Sequence, residues 1–244
     1  MSFIDHLEEL RSTLIASLVT WIGLSIAIWF LSGYILDFLL RDIPVDSLYF
    51  HTPIGAFMIR LKLSFILGFL VAFPYILFRA WAFVAPGLFQ RERRVVFPLV
   101  FSSTALFYIG VVFAYWILIP VVLGFLMRFG TDLLEPLLSV DKYFGFVARL
   151  CFAFGLVFQL PLVIVFLTSI GLVSAKALLR KWRWAIILIF ITAAVLTPPD
   201  PTSQLLMALP LVLLFLVSVT LSMVIEHRMQ KRKGGEEEEG ETTE

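Results

Sequence analysis

The sequence predicts an all-α integral membrane protein with six transmembrane helices. Composition is the first reason, because 60% of the residues are hydrophobic and 15% are charged, whereas soluble domains average about 45–50% and about 25%. The second reason is a series of long apolar runs, whose backbone groups in lipid are satisfied only by helices or closed barrels. Strand-like alternation is absent from these runs, which argues against a barrel.

Six apolar runs qualify as spans, because a hydrocarbon core about 30 Å thick needs about 20 helical residues. They are residues 14–36, 61–78, 95–122, 150–173, 184–197 and 205–225. The fifth run has only 14 residues, so we expect the fifth and sixth helices to be short. Prolines lie within or near the ends of several runs, and we expect kinks there because proline removes a backbone donor.

The two ends of the chain differ in composition from this domain of residues 14–225. Residues 1–13 predict a cytoplasmic amphipathic helix, because Phe3, Leu7 and Leu10 share one face while the charged residues can face water. Residues 226–244 carry a basic cluster followed by an acidic run. That composition predicts a disordered cytoplasmic tail.

Orientation follows from the distribution of Lys and Arg, which are enriched in cytoplasmic loops. Thirteen lie on one side: Arg11, Arg79, Arg91, Arg93, Arg94, Lys176, Arg180, Lys181, Arg183, Arg228, Lys231, Arg232 and Lys233. Six lie on the other: Arg41, Arg60, Lys62, Arg128, Lys142 and Arg149. We therefore expect both termini to lie in the cytoplasm.

Motifs for catalysis are missing from the sequence. It contains no Walker loop, GxGxxG, GxSxG or HExxH pattern. Its one cysteine lies inside an apolar run and its three histidines are scattered, which is not the pattern of a metal site. We expect no enzyme activity, no cofactor or metal, and no nucleic-acid partner.

Two groups of polar residues lie next to the cytoplasmic surface. The first is the acidic N-terminal segment, which either anchors the chain or contributes to a site. The second is the loop of residues 81–94, where Glu92 lies among Arg91, Arg93 and Arg94. Such a carboxylate either forms ordinary ion pairs or binds a ligand.

Two further groups lie within or beyond the spans. Gln159 precedes Pro161 in the fourth run, where an amide either packs helices together through hydrogen bonds or serves a functional role. Residues 197–204 form a proline-rich segment between the last two runs, and its simplest meaning is a turn.

Four segments together resemble the TatC family, the polytopic core of the twin-arginine protein translocase. They are His6-Leu7-Glu8-Glu9-Leu10-Arg11, the loop from Trp81-Ala82-Phe83 to Arg94, Phe107-Tyr108-Ile109-Gly110 with Phe113-Ala114-Tyr115, and Leu196-Thr197-Pro198-Pro199-Asp200. The resemblance extends from His6 to about Ile225. The ordered combination is specific, although each piece alone is weak.

The resemblance implies a multi-pass receptor of the bacterial inner membrane, in an oligomeric complex with the single-span subunits TatB and TatA. It implies that the chain binds twin-arginine signal peptides and exports folded proteins using the proton-motive force. We expect the apolar part of the peptide to lie along a concave, lipid-facing side. The implied peptide-binding residues are Glu9, Leu10, Arg11, Phe83 and Glu92. Residues implied for structure or partner assembly are Pro44, Pro74, Tyr115, Thr197, Asp200 and Gln204, with the end of the fifth helix docking TatB.

Two carboxylates suit two arginines, because each guanidinium offers a fork of donors that binds a carboxylate through two parallel bonds. Glu9 and Glu92 can converge if the N-terminal helix packs on the loop. The arginines around Glu92 oppose a basic ligand. Gln159 departs from the family, which commonly has glutamate there, and its uncharged amide argues against a proton-linked role at that position.

Two other functions remain open. One is an ion-coupled transporter of small solutes, and the other is a passive assembly scaffold. Transporters place charged or broken-helix sites near the bilayer centre. The acidic residues of this sequence cluster at the cytoplasmic surface instead, which favours the receptor.

Overall fold

The computed structural model describes residues 3–41, 54–84, 96–128, 139–196 and 200–241, and these are almost wholly helical. In chain order the helices are α1 Phe3–Arg41, α2 Gly55–Val84, α3 Val96–Phe113, a π-helical segment Ala114–Leu118, α4 Ile119–Met127, α5 Val140–Val157, α6 Leu160–Ser169, α7 Ala175–Arg180, α8 Trp182–Leu196 and α9 Pro201–Glu241.

Five stretches of these helices are long and apolar enough to cross a membrane. They are Ile4–Leu39, Gly55–Phe83, Pro98–Met127, Val140–Ser169 and Pro201–Met229. A sixth apolar helix, Trp182–Leu196, has 15 residues and is therefore about 22 Å long. The predicted all-α membrane fold and its short fifth span are confirmed.

The two terminal helices differ from the prediction. α1 is one continuous helix of 39 residues, so the described residues 3–13 are its first turns and not a separate helix. α9 has 41 residues, so the expectation of a short sixth helix is wrong. It also continues to Glu241, where the sequence predicted disorder after Ile225. Lys, Arg and Glu favour helix, and extending an existing helix avoids the cost of nucleation, which explains the continuation.

Prolines interrupt two spans and leave two others continuous. Pro120 follows the π-helical segment, where the wider turn relieves the clash between the proline ring and the preceding turn. Pro161 lies in the first turn of α6, just after the break at Phe158 and Gln159. Pro74 and Pro210 lie inside unbroken helices, so proline alone does not end a helix here.

The chain divides into two compact units, Met1–Ala105 with Phe129–Arg149, and Leu106–Arg128 with Leu150–Glu244. In the first unit α1 packs antiparallel on α2. The two backbones approach closely at Gly68, where an added Cβ would overlap Ser25 Oγ and lie 2.7 Å from Ser25 Cα. The indole of Trp21 donates to the Phe65 carbonyl oxygen at 2.8 Å. Small residues at the contact let the two backbones approach closely, as in other membrane helix pairs.

The second unit contains a similarly close contact between α3 and α5. A Cβ at Gly110 would lie 2.7 Å from the Phe154 carbonyl oxygen, and one at Gly155 would lie 2.8 Å from Phe107 Cδ2. Elsewhere in this unit α9 packs against α6, with the hydroxyls of Thr168 and Ser222 2.7 Å apart in the buried interface.

Both interruptions border one apolar cavity of about 500 Å³ in the second unit. Its lining comes from the π-helical region, from Phe158 and from α9, as Phe113, Ile117, Leu118, Val121, Phe158, Leu206, Leu209, Pro210, Leu213, Leu214 and Val217. The breaks in hydrogen bonding thus coincide with a gap in side-chain packing.

Candidate functional site

The start of α1 and the end of α2 meet through two aromatic rings. The imidazole of His6 stacks on the phenyl ring of Phe83, with centroids 4.3 Å apart and planes 14° apart. Glu9 lies one turn further along α1, and its Oε2 is 3.9 Å from Nδ1 of His6. These contacts bring the carboxylate of Glu9 and the ring of Phe83 to the same end of the helix pair.

Two hydrogen bonds hold this end together. Arg79 donates from its Nη2 to the hydroxyl oxygen of Ser12 at 3.2 Å, which joins α2 to α1. Trp81 donates from its indole nitrogen to Ser103 Oγ at 3.1 Å, which joins α2 to α3. The Nε of Arg79 is buried without a hydrogen-bond partner among the described residues, so this guanidinium is incompletely satisfied.

Sequence patterns explain why these side chains share a surface. In an antiparallel helix pair, positions three or four apart on one helix face positions three or four apart on the other. His6, Glu9 and Ser12 form such a row on α1, and Arg79 and Phe83 form the facing row on α2. Along α1, Glu9 therefore lies between His6, which stacks on Phe83, and Ser12, which accepts from Arg79.

A second polar cluster lies at the start of α9. Asp200 Oδ2 accepts a hydrogen bond from the Ser203 backbone N–H at 2.7 Å, and the Asp200 carbonyl oxygen accepts one from the Gln204 N–H at 3.1 Å. Asp200 is therefore the N-cap of α9, with Pro201 at the first helical position. The amide of Gln204 donates to the Phe190 carbonyl oxygen at 3.1 Å, which ties α9 to α8.

The comparisons with known proteins agree with this architecture. A profile described as Sec-independent protein translocase protein (TatC) matches residues 5–210. The chain belongs to the TatC family. Relatives carrying the same description include those of Carboxydothermus hydrogenoformans, 37% identical over 93% of this chain and 94% of the relative, and of Aquifex aeolicus, 36% identical over 95% and 98%.

Two further matches give the extent of the likeness. The TatC protein of Halothiobacillus neapolitanus is 41% identical over 87% of this chain but 60% of that relative. A solved structure described as the crystal structure of the twin arginine translocase receptor TatC superposes with a TM-score of 0.82. It is 35% identical over 90% of this chain and 99% of that chain. Members of the family are thus named as translocase components, a transport role.

The structure describes four of the five residues predicted to bind a signal peptide. In this TatC chain Glu9 is half-buried, Leu10 is 37% exposed and Arg11 is exposed. Phe83 is half-buried beneath His6. Glu92 lies outside the described residues. Their peptide-binding roles stay predictions.

The predicted structural residues divide between the two units. Pro44 and Thr197 lie outside the described residues. Pro74 lies inside α2, and Tyr115 lies half-buried in the π-helical segment. Gln159 is the N-cap residue of α6, where its carbonyl oxygen accepts from the Val163 N–H at 2.9 Å. Only Asp200 and Gln204, described above, meet in one cluster.

Sequence reasoning missed the contact of His6 with Glu9 on α1 and the contact of Arg79 on α2 with Ser12. His6 was quoted within a motif and weighed only as a metal ligand. The signal that finds it is the i, i+3 spacing of His6 and Glu9, which places both on one face. No pattern in the sequence finds Arg79, because its contact depends on how α1 and α2 are aligned.

Proposed function

We propose that this chain is the receptor and core subunit of a twin-arginine translocase, which binds twin-arginine signal peptides and assembles partner subunits to export folded proteins. The observation that carries the proposal is the meeting of Glu9 and Phe83 at one end of the α1–α2 pair. A carboxylate beside an aromatic ring suits a guanidinium, which forms paired hydrogen bonds with the first and stacks on the second.

The neighbouring loop supports the same function. Residues 85–95 begin two positions after Phe83 and include Glu92. A second carboxylate from this segment provides a partner for the second arginine of the signal peptide. The acidic residues of α1 offset the three arginines that surround Glu92 in sequence.

The partners and compartment belong to the same proposal. We expect the chain to lie in the bacterial cytoplasmic membrane with both termini inside. The reason is that 13 Lys and Arg residues lie on the side of the termini and 6 on the opposite side. Its partners are the single-span subunits TatB and TatA, in an oligomeric complex. The exposed face of α8, with Trp184 68% and Val195 75% exposed, suits docking of another apolar helix.

Transport of a small solute has less support. Asp37, Asp141 and Glu226 each lie near one end of an apolar span, these spans being Ile4–Leu39, Val140–Ser169 and Pro201–Met229. A transporter site at the bilayer centre needs charged or broken-helix groups at that depth. At the helix break the polar side chain is that of Gln159, which is an uncharged amide. No reaction chemistry is needed for the proposed role, so we expect no enzyme activity and no cofactor.

A binding titration tests the proposal. Twin-arginine and twin-lysine peptides are titrated against the chain in nanodiscs, at two salt concentrations because interfacial charge pairs are screened. Glu9→Gln should weaken twin-arginine binding about tenfold or less, since the carboxylate is half-exposed. The twin-lysine peptide cannot form bidentate bonds with a carboxylate, so Glu9→Gln should weaken its binding only slightly. Asp37→Asn, at the opposite end of α1, is the matched control and should change neither.

The outcomes are separable. If Glu9→Gln weakened the binding of both peptides equally, Glu9 would supply only nonspecific electrostatic attraction. Wild-type chain that fails to prefer the twin-arginine peptide would refute the receptor function itself.

A further inference from the structure

One face of the Phe83 ring is covered by the imidazole of His6. His6 lies parallel to it at 4.3 Å between centroids, the geometry of an offset stack. The side chain of His6 remains 48% exposed. It is therefore held against Phe83 at the surface and not locked inside the fold, so rotation about its Cα–Cβ bond can release it to water.

Glu9 lies at the edge of this stacked ring. Its separation of 3.9 Å from His6 Nδ1 is longer than the roughly 2.7–2.9 Å of a charge-assisted hydrogen bond. Within the described ranges no residue donates a hydrogen bond to this carboxylate. A planar donor in the place of the imidazole would need to approach by only about 1 Å to form one.

We propose that His6 occupies, in the free chain, the position taken by one arginine of the bound signal peptide, and that binding exchanges imidazole for guanidinium. The inference rests on the proposed function and adds a specific subsite to it. A guanidinium is planar like imidazole, so it stacks on Phe83 and presents N–H groups at its edge to Glu9. The ligand class of the subsite is therefore a planar cation.

Arg79 limits the subsite to a single arginine. It lies one turn before Phe83 on α2 and donates to Ser12, one turn beyond Glu9 on α1. Its positive charge closes that side of the stack to a second cation.

Displacing His6 lowers the affinity for the peptide by the strength of the stack, which corresponds to about a two- to tenfold factor for an aromatic pair. Removing the His6 ring should restore this lost affinity. His6→Ala should accordingly bind a twin-arginine peptide about two- to tenfold more tightly than wild type. A residue that only positioned Glu9 would give the opposite sign.

Titration in nanodiscs compares wild type, His6→Ala and His6→Phe, with His227→Ala as the matched histidine control. His6→Phe keeps a ring on Phe83 and should return the affinity to within about twofold of wild type. A twin-alanine peptide brings no cation, so His6→Ala should leave its binding unchanged. Weaker or unchanged twin-arginine binding in His6→Ala would overturn the exchange.

Ring resonances of ¹³C-labelled histidine give a direct readout, since the chain has three histidines. The His6 signals should carry the ring-current shift of Phe83 in the free chain and lose it when the twin-arginine peptide is added. Persistence of that shift in the saturated complex would refute displacement. If wild type does not distinguish twin-arginine from twin-alanine peptide, the proposed function fails; if it does and His6 stays stacked, only this inference fails.

Discussion

Replacing Gly68 by alanine should separate α1 from α2 more than a methyl group added at Gly23, Gly33 or Gly145. The new Cβ would overlap Ser25 Oγ and lie 2.7 Å from Ser25 Cα and 2.8 Å from its N. Real Cβ atoms do not approach backbone this closely, so the helices must move apart. Glu9 and Phe83 depend on the same helix pair, and peptide binding should weaken with it.

Gly23→Ala, on α1, provides the matched control, because its Cβ would meet nothing within 4 Å. Both substitutions gain about 0.5–1 kcal/mol of helix propensity. Only Gly68→Ala adds an overpacking cost of about 1–3 kcal/mol. The difference between the two variants isolates that cost.

Thermal unfolding in detergent measures this difference. We expect Gly68→Ala to unfold about 2–12 °C below Gly23→Ala, since about 1 kcal/mol corresponds to about 2–4 °C at this chain length. The double variant Gly68→Ala with Ser25→Gly should recover only part of the loss, because the Ser25 backbone remains in the way. Equal unfolding temperatures for the two alanine variants would refute the close approach.

Three other predictions use different parts of the chain. Gly155→Ala should destabilise the second unit by about 1–3 kcal/mol through the clash with Phe107, whereas Gly145→Ala on the same helix has no atom within 4 Å and should not; thermal unfolding of the pair decides it. Thr168→Val should cost about 0.5–1.5 kcal/mol, and the double variant with Ser222→Ala should cost less than the summed single losses, as a double-mutant cycle would reveal. In a Cys151→Ala background, single cysteines replacing the exposed Glu8 and Lys176 should react with an impermeant reagent added on the cytoplasmic side. A cysteine replacing Thr202 should react when the reagent is added outside. Labelling of Lys176→Cys from outside would reverse the topology.

The membrane fold is predictable because hydropathy and run length act locally. A run of apolar residues must be helical in lipid whatever its neighbours are, so every run had a helical counterpart among the described residues. The ends of α1 and α9 were not predictable on that basis, because charged residues beyond the lipid form helix only as a continuation of the span.

The candidate site was predictable only in part. Glu9 and Phe83 were found through the family resemblance, and the residues alone justified the chemistry of a carboxylate for arginine. The stack of His6 on Phe83 and the contact of Arg79 with Ser12 depend on the alignment of α1 with α2. That alignment is fixed by close contacts such as Gly68 with Ser25, which no periodicity reveals.

Because α1 is continuous, the direction in which Glu9 and His6 point is set by the apolar part of the same helix. Its 39 residues contain no proline, so every residue keeps a fixed phase of about 100° relative to the next. Ser32 is anchored by Arg60 Nε at 3.1 Å on α2, more than six turns from Glu9. One residue inserted between Trp21 and Ser25 would therefore turn Glu9 and His6 by about 100° and carry them away from Phe83. The lipid-facing turns of α1 thus act as a spacer whose residue number, as well as its hydrophobicity, is constrained.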